Sequence, residues 1–130
     1  MAKILIAEDE THILSLMSMW LTKNGHEVIE TRNGAEALEA IEAAVPDLIL
    51  SDMNMPLVTG EELVRAVRQD KKLSTPILML SSRCDQTDLA ERMKAYDVTL
   101  YPKPFIPSQL VAQIDALLGA GVPAGEAGSV

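Results

Sequence analysis

The chain reads as an α/β protein, a doubly wound parallel sheet with helices on both faces. Three observations carry that reading. Short apolar runs, mostly uninterrupted, recur five times along the 130 residues. A segment of helical period follows each run, and no two runs adjoin, so every return to the sheet needs a crossover. A chain of this length makes one domain and can bury a core without disulfide or metal staples.

Lys3 to Ala7 lacks polar alternation and is expected to be a strand covered on both faces. From about Glu10 to Asn24, Ile13, Leu16, Met17, Trp20 and Leu21 form the stripe of an amphipathic helix, closed by Asn24-Gly25. Glu27 to Thr31 is more polar and suits an edge strand. Asn33-Gly34 turns into a helix over Ala35–Ala44, with Ala35, Leu38, Ile41 and Val45 inward, which Pro46 stops. Asp47 to Ser51 is a third strand. After the Pro56 and Gly60 loop comes a helix over about Glu61–Gln69, with Leu63, Val64 and Val67 on one side. Pro76 to Leu80 is a fourth strand, with proline at its start, where a missing N–H does least harm. Asp85 to Ala95 is a short charged helix with few inward residues, chiefly Leu89 and Met93, and Val98 to Tyr101 is the fifth strand. Pro107 opens a last helix carrying Leu110, Val111, Ile114, Leu117 and Leu118. The domain is therefore expected at 1–118, with 119–130, rich in Gly and Ala, a flexible tail or linker stub.

Hydrophobic residues make up 48% and aromatics only 3%, so the core must be aliphatic and methionine-rich. The net charge of −8 argues against a nucleic-acid or anionic-membrane surface. No apolar run approaches the ~20 residues that cross a bilayer. The first residues lack the pattern of a signal peptide, and Cys84 is the single cysteine, so the cytoplasm is the expected location.

In an open parallel sheet, ligands bind at the carboxyl ends of the strands. The first strand ends in Glu8-Asp9, the third in Asp52, the fourth in Ser81-Ser82 and the fifth in Lys103; the second ends in the unremarkable Thr31-Arg32. Any one acid in such a place is ordinarily a helix cap or a solvated loop residue. Three carboxylates converging on one rim with a hydroxyl and a lysine are another matter, because burying unpaired charge costs several kcal/mol each. A hard divalent cation with oxygen ligands, Mg²⁺ in a cell, suits the centre of such a cluster, and Lys103 is the other available cation.

The segments Ile4-Leu-Ile-Ala-Glu8-Asp9-Glu10, Asp47-Leu-Ile-Leu-Ser-Asp52-Met-Asn-Met-Pro56 with Gly60, Pro76-Ile-Leu-Met-Leu-Ser81-Ser82 and Lys103-Pro104-Phe105 occur in this order at the strand ends. Together they resemble the receiver domain of two-component response regulators, over about residues 3–118. The resemblance implies a flavodoxin-like (βα)5 fold with strand order 2-1-3-4-5. It implies that Asp52 is the phosphoacceptor and that Glu8, Asp9, Asp52 and the Asn54 backbone carbonyl hold Mg²⁺. It further implies that Ser81 and Ser82 meet the phosphoryl group, Ser81 being the switch hydroxyl, that Lys103 pairs with the phosphoryl oxygens, and that Pro56, Gly60 and Pro104 shape the loops. The implied partners are a sensor histidine kinase or histidine phosphotransfer protein and a downstream effector or output domain. Output, and any homodimer, would use the face built from the 85–95 helix, the 98–101 strand and the last helix. Such a domain is a signalling module that catalyses only its own phosphorylation and slow dephosphorylation.

Departures from the family pattern are visible. The metal pair is Glu-Asp where Asp-Asp is commoner. Leu100 takes the position of the usual aromatic switch, with Tyr101 one place on and facing the other way. Tyr96 stands where a glycine is usual. A haloacid-dehalogenase-type phosphatase would want a second Asp two residues after its nucleophile, where this chain has Asn54. A flavin-binding module would want a hydroxyl-rich phosphate loop after the first strand, where this chain has acids. Neither reading fits.

Overall fold

The computed structural model of the chain describes residues 2–53, 55, 58–81, 87–103 and 105–120. Asn54, Pro56, Ser82, Cys84, Pro104 and the tail from 121 lie outside the described residues. In chain order the elements are β1 (Lys3–Ala7), α1 (Thr11–Lys23), β2 (Glu27–Thr31), α2 (Gly34–Ala43), β3 (Leu48–Asp52), α3 (Gly60–Arg65), β4 (Ile77–Ser81), α4 (Thr87–Ala95), β5 (Val98–Pro102) and α5 (Pro107–Ala120). The strands form one parallel sheet in the order β2-β1-β3-β4-β5. That is the doubly wound flavodoxin-like order the resemblance implies.

The apolar strands need cover on both faces, and the core is accordingly in two layers. Ile4, Ile6, Leu48, Leu50, Leu78 and Leu80 point to one face, against Leu14, Met17 and Leu21 of α1 and Leu110, Val111 and Ile114 of α5. The alternate positions Leu5, Ala7, Ile49, Ile77 and Met79 point to the other face. There they meet α2 through Ala37 and Ile41, α3 through Leu63 and Val64, and α4 through Leu89 and Met93. Period-two alternation thus persists inside the runs, with both sets of side chains buried. β2 has the mixed burial of an edge strand.

Several elements differ in detail from the expectation. The buried residues of α1 are Leu14, Met17 and Leu21, whereas Leu16 is 37% exposed. In α2 Ala37 and Ile41 are buried and Leu38 packs partly buried against the same core, as expected of Leu38 and Ile41, whereas Val45 lies past the helix, 53% exposed. Both helices are apolar over a wide arc, so packing against the sheet chooses the phase. β3 and β4 each run one residue further than expected, which puts Asp52 and Ser81 inside their strands as last residues. The segment expected as one helix over 61–69 is α3 followed by a π-helical turn, Ala66–Asp70. Wide i→i+5 bonding shows in Lys71 N–H donating to the Ala66 carbonyl at 2.9 Å. Two residues past the turn, Lys72 takes a left-handed φ of 54°. α5 continues to Ala120, two residues beyond the expected boundary at 118. Leu100 and Tyr101 do face opposite sides of the sheet: Leu100 packs on the α2–α3–α4 side and Tyr101 on the α1–α5 side.

Candidate functional site

Strand register builds the site. Ala7 of β1 lies beside Ser51 of β3, so the next residues, Glu8 and Asp52, reach the same rim. Asp52 pairs with Leu80, and Ser81 with Pro102, which brings the ends of β4 and β5 to that rim as well. Ladder bonds continue past the strands and fix the loops that follow. Glu8 N–H donates to the Thr31 carbonyl, Met53 N–H to the Leu80 carbonyl and Lys103 N–H to the Ser81 carbonyl, each at 3.0 Å. Thr31, unremarkable in the sequence, is buried, and its hydroxyl donates to the Ile6 carbonyl at 2.6 Å. It ties β2 to the backbone just before the acidic pair; a threonine in a strand signals only β-propensity, so nothing in the sequence marks this bond.

Gly60 is needed by close approach. A Cβ there would stand 2.5 Å from the Asp52 carbonyl oxygen and 2.8 Å from the Met53 Cα. Gly60 N–H donates to the Met53 carbonyl at 2.9 Å, so the start of α3 is pressed against the end of β3. Thr59 caps α3 through a reciprocal capping box with Glu62, which holds that start in place.

Three carboxylates meet at the rim: ligand oxygens of Glu8, Asp9 and Asp52 all lie within 4.8 Å of one another. Glu8 and Asp52 are buried and Asp9 is exposed. The Lys103 ammonium, itself half-buried, forms an ion pair with Asp52 Oδ1. Glu8 Oε2 accepts the Glu10 N–H at 3.0 Å, while Glu8 Oε1 is buried with no hydrogen-bond partner among the described residues. Burial pushes the Glu8 carboxyl up to about 7, with the Asp52 charge and a hydrogen bond to Asp9 adding to the rise, against the Glu10 N–H and Lys103. The Asp52 carboxyl is also raised, by burial first and the Asp9 charge second, against the opposing pull of Lys103. A buried carboxylate oxygen without a donor, beside two further carboxylates and one ammonium, is short of positive charge. Oxygen donors of this kind are what a hard divalent cation takes. The set therefore fits a metal such as Mg²⁺.

Of the expected site residues, Glu8, Asp9, Asp52, Ser81 and Lys103 come to one rim. Ser81 is buried at the end of β4, next to the strand that carries Asp52. Fold and site together define a doubly wound α/β domain with an acidic, lysine-paired cluster at the carboxyl edge of its sheet. Known proteins agree. Residues 4–115 match the response regulator receiver domain family. The chain is 35% identical over 116 residues to the alkaline phosphatase synthesis transcriptional regulatory protein PhoP of Bacillus subtilis, covering 89% of this chain and 48% of that protein. It is 34% identical over 118 residues to the transcriptional regulatory protein CpxR of Escherichia coli, covering 91% of this chain and 50% of that one. Among solved structures, the chemotaxis response regulator CheY4 of Vibrio cholerae superposes with a TM-score of 0.82 at 37% identity, covering 90% of this chain and 98% of that chain. The receiver domain of the Francisella response regulator 1452 does so with 0.85 at 26% identity, covering 94% and 100%. The chain belongs to the response regulator receiver domain family. It spans about half the length of the curated relatives it matches.

Proposed function

We propose that this domain accepts a phosphoryl group on Asp52 from the phosphohistidine of a histidine kinase or histidine phosphotransfer protein, in a Mg²⁺-dependent reaction, and passes the change on as a signal. One observation carries the reading: a buried carboxylate at a strand end, ion-paired to Lys103, with two more carboxylates within 4.8 Å. In the transfer, a carboxylate oxygen of Asp52 forms the new bond to phosphorus as the donor's P–N bond breaks and the imidazole leaves. Such a transfer is loose, so positioning and charge neutralisation supply most of the catalysis. Lys103 is placed to follow the charge from the carboxylate to the transferred oxygens. Glu8, Asp9 and Asp52 would hold the ion, and the family likeness adds the Asn54 backbone carbonyl. Bound there, Mg²⁺ would supply the rest of the neutralisation.

The product is an acyl phosphate with about −2 charge and three strong acceptors. Ser81, and by family likeness Ser82, would turn toward it. Ser81 ends β4, so that movement passes to the chain leading into α4. The face formed by α4, β5 and α5 is then the output surface, offered to an effector, an attached output domain or a second copy. Leu100 takes the switch position and has no hydroxyl to trade between buried and exposed states. The domain turns over no external substrate. We place it in the cytoplasm, where kinase and Mg²⁺ are available; among the described residues no helix is long and apolar enough to cross a membrane.

Intact-mass analysis after incubation with acetyl phosphate tests the reading. One added phosphoryl group is expected with Mg²⁺, and none without the ion or in Asp52→Ala. An unchanged mass for the wild type with Mg²⁺ overturns it.

A further inference from the structure

The middle and the C-terminal end of α4 are attached to the α3 side by different chemistry. Toward the middle of the helix, Arg92 meets Glu61 at 2.8 Å through Nε and at 3.4 Å through a second guanidinium nitrogen. This pair is open to water, with side chains 50% and 25% exposed. At the C-terminal end the contacts converge on one turn. The Arg68 guanidinium donates to the Tyr96 carbonyl at 2.7 Å, the Leu73 carbonyl at 2.7 Å and the Asp97 carbonyl at 3.4 Å. The Tyr96 hydroxyl accepts from Gln69 Nε2 at 3.2 Å.

Arg68 and Gln69 both lie in the π-helical turn, and Arg68 satisfies the Tyr96 and Asp97 carbonyls just past the end of α4, where a helix leaves backbone groups without partners. Two residues at this spot, Lys72 and Asp97, hold left-handed φ values of 54° and 58°. A conformation that non-glycine residues rarely adopt persists only when its surroundings impose it. An open cleft of about 380 Å³ borders the same turn between Lys72, Ser74 and Tyr96. Hydrogen bonds therefore contribute much of what fixes the turn on that side. A glycine at position 96, usual in the family pattern, would have no side chain for Gln69 to hold.

We propose that α4 is a lever hinged at its C-terminal end, with Arg68 and Tyr96 as the pin and the Arg92–Glu61 pair as a catch that opens readily. Among the described side chains of α4 only Leu89 and Met93 are buried, so little apolar packing resists the swing. In this lever the end that swings is the one toward Ser81, and the fixed end is the turn into β5. This rests on the reading above that a change at Asp52 reaches α4 through the end of β4.

Residue-resolved amide exchange of the unmodified protein, with no phosphodonor present, tests the hinge independently of chemistry at Asp52. In Glu61→Gln the amides of 91–94 should exchange up to about fivefold faster, the scale of an exposed ion pair, while those of 96 and 97 stay unchanged. In Tyr96→Phe the amides of 96 and 97 should themselves speed up several-fold, and Arg68→Lys, which keeps the charge but loses the fork, should do so more strongly. If Glu61→Gln accelerates 96 and 97 as much as 91–94, α4 moves as a rigid block and the hinge is wrong. If Tyr96→Phe, which deletes a single oxygen and preserves the fold, leaves 96 and 97 unchanged, the pin is wrong.

Discussion

The α1–α5 layer and the opposite corner, where the acidic rim meets the α3–α4 seam, are built of different materials. On the first side, Leu14, Met17, Leu21, Leu110, Val111 and Ile114 are all buried against the sheet. On the other, α4 contributes the buried apolar residues Leu89 and Met93, and the remaining attachments of α4 and the turn after it include an ion pair, a guanidinium on backbone carbonyls and a phenol. Burying an aliphatic side chain contributes roughly 1.5–3 kcal/mol, whereas an exposed ion pair contributes about 0–1. Apolar burial therefore fixes α1 and α5 firmly, whereas α4 can rearrange without unfolding the domain. A signalling domain needs both in one small molecule.

The sharpest break of that comparison is a cavity in the stable layer. Ile114→Ala should cost about 2–5 kcal/mol in urea unfolding, monitored by far-UV circular dichroism. A loss below about 1 kcal/mol would mean that α5 is not a main support. The rim should respond instead to pH. Glu8 is raised to about 7 from an ordinary 4.5, so between those values the folded state holds more protons than the unfolded state. Stability without metal should thus fall as pH rises from about 4.5 to about 7 and level off above. The raised Asp52 carboxyl acts in the same direction. Mg²⁺ favours the charged forms and should flatten the slope, and Glu8→Gln should remove most of it. A stability that rises across this window and returns to a fall in Glu8→Gln would reverse the assignment.

Smaller effects sharpen the comparison at the junction of the two regions. Gly60→Ala forces a methyl group against the Asp52 carbonyl and should cost about 1–3 kcal/mol by overpacking, measured in the same unfolding experiment. It should also slow phosphorylation, because the strain falls on the backbone of Asp52 itself. Thr59→Ala removes the cap of α3 and should cost about 1 kcal/mol with little effect on phosphorylation rate. A slowing by Thr59→Ala equal to that by Gly60→Ala would show that the start of α3, rather than close approach at Asp52, sets the site's geometry.

The strands were legible because a buried parallel strand has no polar alternation, as Ile4–Ala7 and Leu48–Leu50 show. Rim residues followed from the strands: once Glu8, Asp52, Ser81 and Lys103 were placed at strand ends, topology brought them together. Helix phase was harder to read. α1 has apolar residues at 13, 14, 16, 17, 19, 20 and 21, which cover most of its circumference, and only the sheet decides that Leu14 goes in and Leu16 out. The π-helical turn at Ala66–Asp70 has no local sequence signature, and the roles of Arg68 and Tyr96 depend on contacts 28 residues apart. The burial that raises Glu8 is likewise tertiary, since position 8 alone does not distinguish a solvated carboxylate from one with an oxygen left unpartnered.

The central claim is that Asp52 carries the phosphoryl group. Acyl phosphates are reduced by borohydride, so treating the phosphorylated protein with this reagent and mapping its peptides locates the group directly. Conversion of residue 52 alone from aspartate to homoserine, dependent on acetyl phosphate and Mg²⁺, is the predicted result. Reduction at Glu8 or Asp9 instead, or no reduced residue in a protein whose mass shows the added phosphoryl group, would contradict it.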